Sequence, residues 1–200
     1  MPSPAEQQTP GLRERKKART RAAIQQHALR LFREQGYAGT TVDQIAGAAE
    51  VSQSTFFRYF PTKEDVVLYD GYDPLLIAAF HAQPARLPPI DALRGAMQAV
   101  LGRLPAGELQ LERERGMLIF AVPELRARFM DQFAATIAML AQALAARIGR
   151  DPADFAVRNF AGAVIGVALA STQAMVDEPD ADYLQLFDAG LAHLQAGLPV

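Results

Sequence analysis

Between Thr41 and Pro61 the chain has room for two short helices and little else. Thr41 and Gln44 stand at capping-box spacing, where the hydroxyl and the amide side chain satisfy each other's orphan backbone N–H groups. Val42, Ile45, Ala46 and Ala49 then form one apolar face. Only Glu50 and Val51 separate this helix from the next cap, Ser52. The following helix covers about residues 53–60, because Pro61 pushes its predecessor out of the α region. Two helices this short and this close can turn only tightly, and they need neighbours to pack against.

The neighbours are helical too. Upstream, Ile24, Ala28, Leu31 and Phe32 recur at helical spacing and Gly36 supplies a stop. Downstream, Thr62 caps a fourth helix, with Asp65 three residues on, that carries Val66, Val67 and Leu68 and weakens over 70–74. The prolines of 83–89 make a loop, followed by helices over about 91–104 and 108–121. Pro123 suits the first turn of the next helix, whose stripe is Leu125, Phe129, Phe133, Ile137, Leu140, Leu144 and Ile148. Gly149 ends it, Asp151-Pro152 opens another running to about 176, and a last helix spans about 181–196. No run sustains period-two alternation. The expected fold is all-α, with a disordered tail over 1–11, a first domain over 12–68 and a second over 69–200.

Composition narrows the chemistry. Without Cys there is no disulfide, thiolate metal site or cysteine nucleophile. The N-terminus lacks the apolar core of a signal peptide, and the longest polar-free run, 160–170, is too short to span a bilayer. These features predict a soluble cytoplasmic chain that does not enter a membrane. An enzyme reading has poor materials: His27, His81 and His193 are far apart, and Asp70, Asp73 and His81 are read as a fraying helix end. No metal or cofactor is expected.

Charge is uneven. Residues 1–65 hold ten Lys/Arg against seven Asp/Glu, whereas 66–200 hold ten against fifteen. Six basic residues, Arg13, Arg15, Lys16, Lys17, Arg19 and Arg21, crowd one nine-residue arm. A basic arm followed by two short helices and a tight turn matches a helix-turn-helix, whose second helix enters the DNA major groove. Gln53, Ser54 and Thr55 would then face base edges. Thr40, Thr41 and Ser52 sit at helix N-termini, where a phosphate is favoured, and Lys63 follows near the backbone. Phe56, Tyr59 and Phe60 share a face, so Phe56 and Phe60 are read as core pegs and Tyr59 as a packed ring whose hydroxyl reaches a phosphate. Phe57 and Arg58 point outward, Arg58 toward DNA.

The stretch "TVDQIAGAAEVSQSTFFRYFPTKEDVV", 41–67, resembles the DNA-binding region of TetR-type bacterial regulators, and "RTRAAIQQHALRLFREQGYAGTT" before it fits the family's first helix. The resemblance implies a homodimer joined by its last two helices, a helical ligand-binding domain, and release from a double-stranded operator when a small molecule binds. It places Thr41, Gln53, Ser54, Thr55, Phe57, Arg58, Tyr59 and Lys63 at DNA-contacting positions. Two departures stand out: Glu50 where Gly is frequent in the turn, and Phe57 where Tyr is common. The stretches "YDPLLIAAFHAQPARLPPIDALRGAM" and "VPELRARF…RIGRDP" are similar to the mycofactocin-regulator branch, which implies a long acyl-thioester ligand such as acyl-CoA.

A ligand cavity is expected among the helices of 91–176. Met97, Leu101, Leu118, Phe133, Ile137 and Phe160 are candidates by face, Arg113 and Arg115 flank them, and Asn159 and Gln173 are the polar candidates. Gly162 and Gly166, one turn apart, suit a close helix contact in a core or a dimer seam. The expected function is a ligand-responsive repressor; the alternatives are a DNA-binding regulator with no small-molecule response, or an all-helical enzyme.

Overall fold

The computed structural model describes residues 11–178 and 181–199, and all regular structure among them is helical. Of the expected disordered tail, only Gly11 falls within the described residues. The chain divides into two compact units, one ending at Val67 and the other beginning at Leu68.

The first unit holds α1 (Leu12–Gln35), α2 (Val42–Ala48), α3 (Gln53–Tyr59) and most of α4 (Lys63–Leu68). The basic arm is helical and forms the exposed opening turns of α1. Further along, Ile24, Ala28, Leu29 and Phe32 turn inward. Leu29 takes the buried place expected of Leu31, which is only half-buried. Gly36 ends the helix at φ 80°, a value that favours glycine. The capping box forms as expected, Thr41 Oγ1 accepting from the Gln44 amide and Gln44 Oε1 from that of Thr41. A second reciprocal pair, Thr62 and Asp65, starts α4. Phe56 and Phe60 are fully buried, as are Ile45, Val66 and Val67. Glu50, in the α2–α3 turn, adopts the left-handed conformation with φ 54°.

The second unit comprises α5 (Asp73–Ala82), α6 (Pro89–Val100), a 3-10 turn at Leu101–Arg103, α7 (Ala106–Ala121), α8 (Pro123–Ile148), α9 (Phe155–Asp177) and α10 (Tyr183–Gln195). The proline-rich loop and the Gly149 stop lie where the sequence puts them, whereas α5 fills a stretch to which the sequence pattern assigns no element. The core packs Phe80, Leu93, Leu140, Leu144, Val164 and Leu191 together. Arg147, near the end of α8, donates to the carbonyls of Phe80, Gln83, Pro84 and Leu87 and covers the Phe80 ring at 5.2 Å. It thereby closes the C-terminus of α5 and the loop after it, whose last carbonyls have no helical partner. At Gly190 a Cβ atom would stand 2.5 Å from Val167 Cγ1, so α10 and α9 meet where only glycine fits.

Two segments, Pro123–Ile148 and Phe155–Met175, are long and apolar enough to cross a membrane by length and composition alone. Both segments feed the core of the second unit, through Leu140 and Leu144 on α8 and Val157, Ala161 and Val164 on α9.

Candidate DNA-binding face and ligand cavity

In the first unit, α3 presents its opening residues outward. Ser52, Gln53 and Ser54 are exposed and Thr55 is half-buried. Ser52 Oγ caps the helix by accepting from the Thr55 amide and lies 2.9 Å from Ser54 Oγ, so these hydroxyls hold one another in place. Gln53 Nε2 donates to Asp43 Oδ1 on α2. Phe57 is 47% exposed and meets the buried Phe56 ring edge to face, 5.4 Å between centroids. Arg58 is exposed, its guanidinium 5.6 Å from the Tyr59 ring. Arg21 lies 5.9 Å from the rings of both Tyr59 and Phe60, so this last basic residue of the arm packs on α3. Arg13, Arg15, Lys16, Lys17 and Arg19 are exposed along α1.

Two expected phosphate ligands are occupied inside the unit. Thr40 is buried, its hydroxyl donating to the Gly36 carbonyl at 2.8 Å and accepting from Gln35 Nε2 at 3.2 Å. Burial leaves that side chain no path to DNA. Lys63 Nζ donates to the carbonyls of Tyr37 and Thr40 at 2.9 and 3.1 Å and sits 4.1 Å from the Tyr37 ring centroid. Those two bonds use two of the three ammonium protons, which leaves one for a phosphate. Thr41 is exposed at the start of α2, with its hydroxyl engaged in the cap.

The second unit holds a partly open cavity of about 650 Å³ among α5 to α10. Its walls are mostly apolar, and Met97, Leu101 and Phe133 contribute as expected. Arg113 and Arg115 also line it. The other candidates lie elsewhere. Ile137 and Phe160 pack against the core, Leu118 is half-buried off the cavity wall, and Asn159 is exposed. Asn159 is five residues from the cavity-lining Val164, which places it about 140° away around the helix. Gln173 is exposed, donates to Asp177, and borders a shallow apolar surface dip with Phe120, Met130 and Gly166.

One end of the cavity is polar in a way the candidate residues did not anticipate. Arg115 binds Asp70 at 3.1 Å and Glu112 at 2.8 Å, with only 11% of its side chain exposed. Burial works against the guanidinium, but the two carboxylates outweigh it and hold its pKa above the ordinary value. Glu112 is itself pushed up by burial. Tyr72 donates to Glu108 at 3.3 Å, and burial with the nearby carboxylates raises its pKa to about 12. Burial raises Tyr183 to about 12 as well. Asp73 has no side-chain partner among the described residues; burial, then Asp70, lifts its carboxyl to about 6 against the pull of Arg115. The available signal was the crowding of "YDGYDP" at 69–74, together with the i, i+3 pair Glu112 and Arg115.

Residues 24–69 match the model for bacterial regulatory proteins of the tetR family, and residues 87–199 match the MftR C-terminal domain. The HTH-type transcriptional regulator TcmR of Streptomyces glaucescens is 42% identical over 152 residues, covering 72% of this chain and 67% of TcmR. Mycobacterium tuberculosis MftR, named for mycofactocin biosynthesis regulation, is 28% identical over 186 residues, 92% of this chain and 93% of MftR. Among solved structures, Thermus thermophilus FadR in complex with lauroyl-CoA aligns with a TM-score of 0.55 at 24% identity, over 90% of this chain and 95% of FadR. The SmeT–triclosan complex aligns with a TM-score of 0.61 at 20% identity, over 90% of this chain and 91% of SmeT. At those identities the structural likeness speaks for the fold. An exposed helix-turn-helix and the two matched domains together carry the assignment: this chain belongs to the TetR family and is a DNA-binding transcriptional regulator.

Proposed function

We propose that the protein is a ligand-responsive repressor that binds a palindromic operator as a homodimer and leaves it when a small apolar molecule fills the second unit. The observation that carries this reading is the cavity. Protein interiors are close-packed, and a partly open, mostly apolar space of about 650 Å³ falls within the usual range of ligand sites. A long-chain acyl-CoA is the proposed ligand class. The apolar walls suit an acyl chain, and FadR was solved with lauroyl-CoA. Arg115 is taken up by Asp70 and Glu112, so Arg113, unpaired among the described residues, is the guanidinium left for an anionic group.

Dimerisation is assigned to α9 and α10, whose exposed Gly166 has open space beside it for a facing helix. Two copies of α3 about 34 Å apart would read successive major grooves. Gln53 and Arg58 are the base-reading side chains, while Thr41, Tyr59 and the residues from Arg13 to Arg19 hold phosphates. Ligand acts by binding the two conformations of the dimer unequally, since equal affinity would shift nothing. A gel-shift titration with an acyl-CoA panel tests the reading. Release by long-chain members is expected. No release by any of them would sink the acyl ligand and leave DNA binding intact.

A further inference from the structure

Among the described residues, Gln53 differs from the other exposed residues of α3 in having a side-chain hydrogen-bond partner on a different helix. Its side-chain amide touches Asp43, ten residues earlier in the first turn of α2, and both side chains are exposed. A carboxylate only accepts, so the amide must turn its NH2 group toward Asp43. That contact takes one of the two N–H bonds of Gln53. The other N–H and the carbonyl oxygen remain, one donor and one acceptor side by side.

That remaining pair has a definite complement. Adenine offers N7 as an acceptor and N6 as a donor in the major groove, so it matches one N–H and one carbonyl oxygen. Guanine offers two acceptors, N7 and O6, and a glutamine can satisfy both only by donating twice. With one N–H committed to Asp43, the amide cannot do so, and its carbonyl would face a guanine acceptor. We propose that Asp43 is a positioning residue that fixes the Gln53 amide so that it reads adenine and rejects guanine. This rests on the assignment of Gln53 as a base reader.

The experiment uses the full-length protein and a random duplex library to find the preferred site. The position read by Gln53 is the one whose preference disappears in Gln53→Ala. Duplexes differing only there, A·T against G·C, are then titrated with wild type, Asp43→Ala, Asp43→Asn and the Asp43→Ala/Gln53→Ala double variant. Wild type should favour A·T about tenfold, the size of one good bidentate contact. Asp43→Ala should bring that ratio to about twofold or less while preferences elsewhere stay put. Asp43→Asn, which keeps an acceptor oxygen, should retain most of the ratio, and the double variant should match Gln53→Ala. A wild-type preference for G·C at that position overturns the proposal. So does an Asp43→Ala ratio equal to wild type, or an equal affinity change on every sequence, which would mark a plain charge effect. If Gln53→Ala alters no position, the base-reading role of Gln53 fails first and takes this proposal with it.

Discussion

Asp73 is the first residue of α5 and lines the cavity with no side-chain partner among the described residues. Its carboxyl is raised from 3.8 to about 6 by burial and by Asp70. The folded chain therefore holds this proton more tightly than the unfolded chain does. The stability it contributes is present below about pH 4 and is lost as pH rises through about 6. The gap between the two values would correspond to roughly 3 kcal/mol if none of it were screened. The carboxyl still meets solvent, and the α5 N-terminus favours its charge, so we expect roughly 1 to 2 kcal/mol at neutral pH. Asp73→Asn mimics the protonated form and should capture that amount. Urea unfolding of the second unit's transition, at one chain concentration and at steps from pH 4 to 8, measures it. The two proteins should agree near pH 4, with Asp73→Asn pulling ahead as pH rises and levelling off above about pH 7. An Asp73→Asn variant equal to or weaker than wild type at pH 7.5 would refute the reasoning, because it would mean that Arg115 and the helix end fully compensate the charge.

Other substitutions report on other parts of the molecule. Arg147→Ala strips a guanidinium from four carbonyls and should cost about 2 to 3 kcal/mol in denaturant unfolding, with Arg147→Lys restoring only part, since an ammonium cannot span all four. Glu50→Gly relieves a left-handed side chain but loosens the unfolded chain, for a net gain of about 0.5 to 1 kcal/mol in the first unit's thermal or chemical unfolding. Lys63→Ala should destabilise the first unit by about 1 to 2 kcal/mol, through two orphaned carbonyls, and reduce the salt slope of DNA binding by less than the roughly one unit of a full phosphate contact. An unchanged slope with lost stability would assign Lys63 to structure alone.

What could be read from the sequence was what is local. Capping pairs act over three residues, so Thr41–Gln44 and Thr62–Asp65 were visible as spacings. Phe56 and Phe60 were separable from Phe57 because one helical turn fixes their relative direction. The cavity was a harder inference. Whether a residue on α9 lines it depends on the rotation of that helix against α7 and α8, and a wrong phase of about 140° moves Asn159 to solvent. The absence of α5 from the sequence pattern has a related cause. The acidic, glycine-containing segment before Pro74 reads as a fraying end, yet it is the polar end of the cavity, built with Glu112 and Arg115 from far along the chain.

The basic residues show the same limit most plainly. By composition Lys63, Arg21, Arg115 and Arg147 are equivalent cations, and a basic first segment invites assigning them to phosphates or anionic ligands. The structure sorts them by what stands nearby. Lys63 and Arg147 meet backbone carbonyls left over at helix ends and loops, Arg21 meets two aromatic faces, and Arg115 meets two carboxylates. Those partners are already present before any ligand arrives, and a ligand must outcompete them. Exposed Arg13, Arg15, Lys16, Lys17, Arg19 and Arg58 face no such competition from the fold's interior, so counterion release on DNA binding should come mainly from them. Charge counted along the sequence thus overstates the number of phosphates this protein can neutralise, and the salt slope of its DNA binding should fall below the value that its first segment's full count of basic residues would give.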